Sequence, residues 1–164
     1  MNTDHLFYNL NVECNILPRV LTFLPLAVWE WIPHQTVATN FPSHMIHHDL
    51  FLRTIPKDFH PTLRLYKFPA SSIYNWHRDA AIGCSLNMVF DDYNSFTLFS
   101  KYETLGIVSE TIELKYEKNK WYLFNSQQLH LVANTGNVDR YLLTVTFPKE
   151  VKYNEVLKWI KEIN

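Results

Sequence analysis

The sequence is poor in most of the features that would assign it to a class at once. Glycine occurs three times in 164 residues, which excludes glycine-rich phosphate loops and Gly/Ser linkers. Two cysteines, Cys14 and Cys84, allow one bridge at most and exclude a disulfide framework. The most apolar stretch, Ile16 to Pro33, is broken by Arg19, Glu30 and three prolines, so it is not expected to span a bilayer. Charge of one sign is also missing. Fifteen basic and sixteen acidic side chains leave a net charge of −1, which gives no electrostatic footprint for nucleic acid or an anionic membrane. The opening "MNTDHLFYNL" carries Asp4 and no basic run. It does not read as a secretory signal, so the expectation is a cytoplasmic protein, bacterial or of a virus-infected cell, with both thiols reduced.

What the chain does have is core-forming material. Apolar residues make up 47%, with five Trp, nine Tyr and eleven Phe. That suits one packed domain over 1–164. Prolines 18, 25, 33, 42 and 56 punctuate the early part, which reads as short elements wrapping a core that begins near Leu63. There "LTFLPLAVWEWI" suggests a short strand and a helical turn, and "SHMIHHDLFLRTI" a helix with Ser43 as N-cap. From Leu63 to Phe147 the chain turns to strands: "LRLYKF", "CSLNMVF", "SFTLFS", "TIELKY", "WYLF" and "YLLTVTF". "DDYNS" (91–95) and "EKNK" (117–120) fit hairpin connections, and "NTGNVD" (134–139) a turn. In the tail, 150–163, Tyr153, Val156, Leu157, Ile160 and Ile163 fall at helical spacing. Short strands without intervening helices predict a mainly β antiparallel sandwich or barrel with helices outside.

One motif raises a chemical question. In "YNWHRDA" (74–80), His77 and Asp79 are two apart, and on an extended chain they share a face. Such a pair arises often by chance and needs a third ligand. His130, read as the end of a strand region in "FNSQQLHLVANTGNVDRYLLTVTF", is the candidate, with Arg140 opening the last strand ten residues later. Two histidines and one carboxylate, with further positions open, form the donor set used for non-haem Fe(II) oxygen chemistry.

Alternation gives a further expectation. Arg140, Leu142, Thr144 and Thr146 share one face of the last strand, and Tyr141, Leu143, Val145 and Phe147 the other. An arginine facing a barrel lumen calls for an anion, because an unpaired buried charge costs several kcal/mol. Ser85 and Asn87 have the parity of His77 and Asp79, so an unbroken strand aims them inward as well.

The order H-x-D, a histidine 51 residues on, and an arginine ten beyond resembles the Fe(II)/2-oxoglutarate-dependent dioxygenases. The nearest branch is the prolyl and aspartyl/asparaginyl hydroxylases and their small viral and bacterial relatives. The resemblance covers Leu63–Phe147. It implies a double-stranded β-helix, a distorted jelly roll, in which His77, Asp79 and His130 hold Fe(II) and act in catalysis. It further implies that Arg140 binds the distal carboxylate of 2-oxoglutarate and that Tyr66 and Asn87 line the same pocket; Thr144, on the face of Arg140, would add a hydroxyl donor to that co-substrate. O2 would be the second co-substrate, and Pro, Asp or Asn of a protein, or a free amino acid or other small molecule, the acceptor. Asp79 favours hydroxylation over halogenation, since related halogenases lack that carboxylate. Two departures stand out: "NSFTLFS" lacks the Gly-rich entry usual in prolyl hydroxylases, and Leu142 stands where some relatives place Ser.

The competing reading is a non-catalytic jelly-roll or cupin-like protein that binds a metal or small molecule. "HMIHHD" (His44, His47, His48, Asp49) is read as a polar helix face or active-site rim, because no Glu completes a zincin motif. Trp76, Tyr74 and Trp121 are read as packing residues, Cys84 as a buried apolar residue, and Arg78 as pointing outward.

Overall fold

The computed structural model describes residues 3–32, 36–92, 94–101, 103–104, 107–108 and 110–163. Chain order begins with β1 (Phe7–Glu13), α1 (Leu17–Phe23), β2 (Glu30–Ile32) and β3 (Thr36–Asn40). Next come β4 (Thr62–Phe68), β5 (Ser72–His77), β6 (Ile82–Val89) and β7 (Ser95–Ser100). A two-stranded ribbon of β8 (Glu103–Thr104) and β9 (Ile107–Val108) precedes β10 (Thr111–Leu114) and β11 (Lys120–Phe124). The chain finishes with β12 (His130–Asn134), β13 (Arg140–Pro148) and α2 (Tyr153–Ile163).

A seven-stranded sheet in the order β1-β11-β6-β13-β4-β3-β2 faces a four-stranded sheet in the order β10-β7-β12-β5. Leaving aside the flanking strands and the ribbon, eight strands remain. Within them the first pairs with the last, the second with the seventh, the third with the sixth and the fourth with the fifth. Folding a long hairpin back on itself in this way produces a jelly roll. The protein is therefore a mainly β, double-stranded β-helix with a few helices outside, one of them C-terminal. No helix among the described residues is long and apolar enough to cross a membrane.

The two faces of β13 divide as alternation requires. Leu143, Val145 and Phe147 are fully buried in the main hydrophobic core with Leu63, Leu65, Leu86 and Trp121. Arg140, Leu142, Thr144 and Thr146 face a cavity between the sheets. Cys84 lies on the core side at 0% exposure, across from Phe147. Burial pushes both its thiol and that of Cys14 up to about 12. In α2, Tyr153, Val156 and Ile160 pack into the core, whereas Ile163, expected on the apolar face, is exposed in the last turn.

Several expectations for the first 62 residues need correction. "LTFLPLAVWEWI" carries the end of α1, a short turn of 3-10 helix and then β2, so helix precedes strand. Pro18 lies in the first turn of α1, where its missing N–H costs nothing, and Pro25 sits where the α-helix has ended. "SHMIHHDLFLRTI" forms 3-10 turns and no α-helix; Pro42 precedes them and Ser43 caps nothing. The reason is Asp49, buried at 0% exposure. Its carboxylate accepts from the backbone N–H groups of Phe51 and Leu52 at 3.0 Å and of Asn15 at 2.8 Å. The local bonds end the turn before a helix can propagate, and the third ties it to the N-terminal segment. Of the predicted hairpin "DDYNS", Tyr93 lies outside the described residues.

Candidate metal centre and its pocket

The H-x-D motif lies only partly on a strand. β5 ends at His77, and Asp79 follows beyond it. Asp79 is held there by the 125–128 loop: its N–H donates to Ser126 O at 3.0 Å, and Gln127 Nε2 donates to Asp79 O at 2.8 Å. Gln127 Nε2 and Ser126 Oγ also reach Ile82 O, closing the corner. His130 opens β12 and does not end a strand, contrary to expectation. The register sets it directly across from His77.

Those placements bring the three side chains together. Potential ligand atoms of His77, Asp79 and His130 all lie within 4.8 Å of one another. His77 Nε2 is 3.8 Å from Asp79 Oδ1, and the two imidazole centroids are 4.1 Å apart. Nδ1 of His77 meets Asn75 O at 2.6 Å, and Nδ1 of His130 meets Gln128 O at 2.8 Å. A carbonyl only accepts, so each Nδ1 carries the proton and each Nε2 keeps its lone pair. Backbone carbonyls behind metal-binding histidines fix the tautomer in this way.

Electrostatics point in the same direction. Burial pulls His130 down to about 3, so this imidazole stays neutral. Burial pushes Asp79 up to about 6, only partly offset by a hydrogen bond with Ser126. A carboxylate disfavoured by burial beside two lone-pair nitrogens is a site that a divalent cation stabilises.

The triad opens on a cavity of about 380 Å³. Arg140, 2% exposed, lies in it with Nη1 and Nη2 each 3.4 Å from Thr97 Oγ1. The faces of Phe68 and Tyr116 stand 5.5 and 5.4 Å from its Cζ. Asn87 donates to the Tyr116 hydroxyl at 3.3 Å, while its Oδ1 and the Thr144 hydroxyl are buried without hydrogen-bond partners among the described residues. Tyr66 also lines the cavity, its phenol pushed up by burial. So His77, Asp79, His130, Arg140, Tyr66, Asn87 and Thr144 all border one space.

Other residues of this space carry no signal in the sequence, or a misleading one. Tyr74, expected to be a packing residue, lines the cavity with its ring 3.8 Å from that of His77. Thr97, Tyr116 and Arg64 belong to no motif, although Arg64 shares the parity of Tyr66 on β4. The "HMIHHD" cluster forms no such group. Asp49 is occupied by backbone N–H groups, and the His44 and His48 rings stand 6.2 Å apart, edge to face.

No protein-family model matches the chain, and no curated protein matches it. Solved structures do. An oxidoreductase of the 2OG-Fe(II) oxygenase family from Burkholderia pseudomallei matches at 11% identity and a TM-score of 0.56, over 85% of this chain and 80% of that one. An oxalate oxidase in complex with the substrate analogue glycolate matches at 9% identity and a TM-score of 0.47, over 72% of this chain. The chain spans about half the length of that protein, 53%. A predicted oxalate decarboxylase from Thermotoga maritima matches at 15% identity and a TM-score of 0.44, over 74% and 93%. At 11% identity the likeness to the first of these is one of fold alone.

Proposed function

We propose that the protein is an Fe(II)- and 2-oxoglutarate-dependent dioxygenase that hydroxylates an amino-acid side chain, Pro, Asp or Asn, in a protein or a free amino acid. The observation that carries the reading is a His77–Asp79–His130 cluster sharing one cavity with a buried arginine, Arg140. His77 and His130 would offer Nε2 and Asp79 a carboxylate oxygen, which leaves open positions for a co-substrate and O2. Arg140 and Thr97 would take the distal carboxylate of 2-oxoglutarate. Asn87 Oδ1 and the Thr144 hydroxyl, buried without partners, offer it polar contacts, and Tyr66 borders the same space. Phe68, Val132 and Leu142 form an apolar wall that excludes water. With iron and 2-oxoglutarate bound, such a site couples O2 and 2-oxoglutarate to succinate, CO2 and a hydroxylated C–H bond.

Anaerobic addition of Fe(II) and 2-oxoglutarate tests the reading. A weak visible charge-transfer band should appear with the wild type and vanish in His130→Ala. A folded wild type that gives no band favours a non-catalytic binding protein.

A further inference from the structure

Arg64 is a second cation of the pocket, and the chemistry proposed above leaves it unused. It belongs to β4, shares the face of Tyr66 and Phe68, and lines the cavity while half-buried. In the ladder Arg64 pairs with Thr144, whereas Arg140 pairs with Phe68. The two arginines are therefore four positions, roughly 13 Å, apart along the strands. Arg64 Nε is buried without a hydrogen bond, and the residue takes part in no ion pair among the described residues. Its neighbour is the Tyr66 hydroxyl, whose phenol it pulls down against the effect of burial. The cavity also reaches Ser85, Thr146 and Ile82, which lie in the same part of the sheet.

Charge balance gives the sign of what belongs there. In the proposed complex the charges of ferrous iron and Arg140 are cancelled by Asp79 and the two carboxylates of 2-oxoglutarate. Arg64 remains uncompensated in a half-buried setting, which is costly unless an anion meets it. A cavity of about 380 Å³ is small for a ligand site. With 2-oxoglutarate inside, only a small acid or a single side chain would fit as well.

We propose that Arg64 is a specificity-determining residue that binds a carboxylate of the substrate, so the oxidised molecule is an acid and neither a neutral nor a cationic compound. The proposal rests on the dioxygenase reading for its charge balance. The carboxylate comes either from a free acid or from an acidic side chain of a peptide.

The test uses the folded protein with Mn(II) and 2-oxoglutarate, which does not turn over, and proton NMR broadening of probe molecules by the metal. The probes are acid–amide pairs: isovalerate with isovaleramide, N-acetyl-L-proline with its amide, and an Asp tripeptide amide with its Asn counterpart. Acids should broaden well above amides in the wild type. In Arg64→Met that preference should vanish, with probe affinity falling roughly tenfold to a hundredfold for one lost charge-assisted contact. Arg64→Lys should keep part of it. Broadening of the free acids identifies a small-molecule substrate, and broadening of the Asp peptide alone an acidic side chain. Equal broadening of acids and amides in the wild type overturns the proposal, as does an acid preference that survives Arg64→Met. Should that variant unfold by circular dichroism, Arg64→Gln decides by the same criterion. Failure of the underlying reading appears earlier and separately, as Mn(II) binding that His130→Ala does not weaken or as absent 2-oxoglutarate binding.

Discussion

Arg140 and His130 are polar side chains taken almost wholly out of water, 2% and 3% exposed. The guanidinium, 2% exposed, meets a threonine hydroxyl and two ring faces. Such a setting favours a buried carboxylate guest, because the contact is charge-assisted and desolvated. Arg140→Met keeps the bulk and removes the fork. Contacts of this kind are worth about 2–5 kcal/mol, so 2-oxoglutarate affinity should fall roughly 30-fold to several thousandfold. Titration with Mn(II) in place of iron measures the loss without turnover. Metal binding should be retained, since a protonated guanidinium offers no lone pair to a metal, and Arg140→Lys should recover part of the affinity as a point charge. Unchanged 2-oxoglutarate binding in Arg140→Met would remove Arg140 from the site.

Elements carry constraints that no single side chain shows. β6 begins beneath the end of β13, and its register shifts between Phe147 and Pro148. At Gly83 an added Cβ would stand 2.8 Å from Pro148 O and closer still to Val151 O, both backbone atoms. Gly83→Ala must therefore push the β13–α2 connection away from β6. Overpacking against backbone costs about 1–3 kcal/mol, and urea unfolding should show a lower midpoint. An unchanged midpoint would mean that the connection yields freely. The corner after β5 is a second case. Asp79 takes its place from Ser126 and Gln127, which are far away in sequence, and not from the strand pleat.

At the scale of the whole molecule, the strands among the described residues before Pro42 belong to the sheet they flank. β1 lies along β11, β2 and β3 extend the sheet beyond β4, and Leu6, Leu10, Cys14, Ile16 and Val20 are buried. Deleting Met1–Phe41 exposes that surface and an unpaired edge of β11, which invites edge-to-edge association. The truncated chain should aggregate or lose cooperative unfolding. A soluble fragment that binds 2-oxoglutarate normally would show the segment to be dispensable.

Alternation along a strand is local, which is why β13 is legible in the sequence by itself: its pleat sends Arg140, Leu142, Thr144 and Thr146 one way and the core residues the other. The same rule aims Ser85 and Asn87 into the cavity, and strand-forming runs without helices between them mark the jelly roll. The order of His77, Asp79, His130 and Arg140 is what carries the resemblance to the Fe(II)/2-oxoglutarate-dependent dioxygenases. Tertiary structure decided the rest. The β5–β12 register sets His77 opposite His130, and a loop positions Asp79 beyond its strand. Thr97, Tyr116, Tyr74 and Arg64 come from separate segments and meet only when the two sheets close. Asp49 likewise becomes a backbone clamp and not a metal ligand once Asn15 comes near it. A strand's two faces follow from its own covalent geometry, whereas partners contributed by distant segments are fixed by pairing and packing that no local pattern encodes.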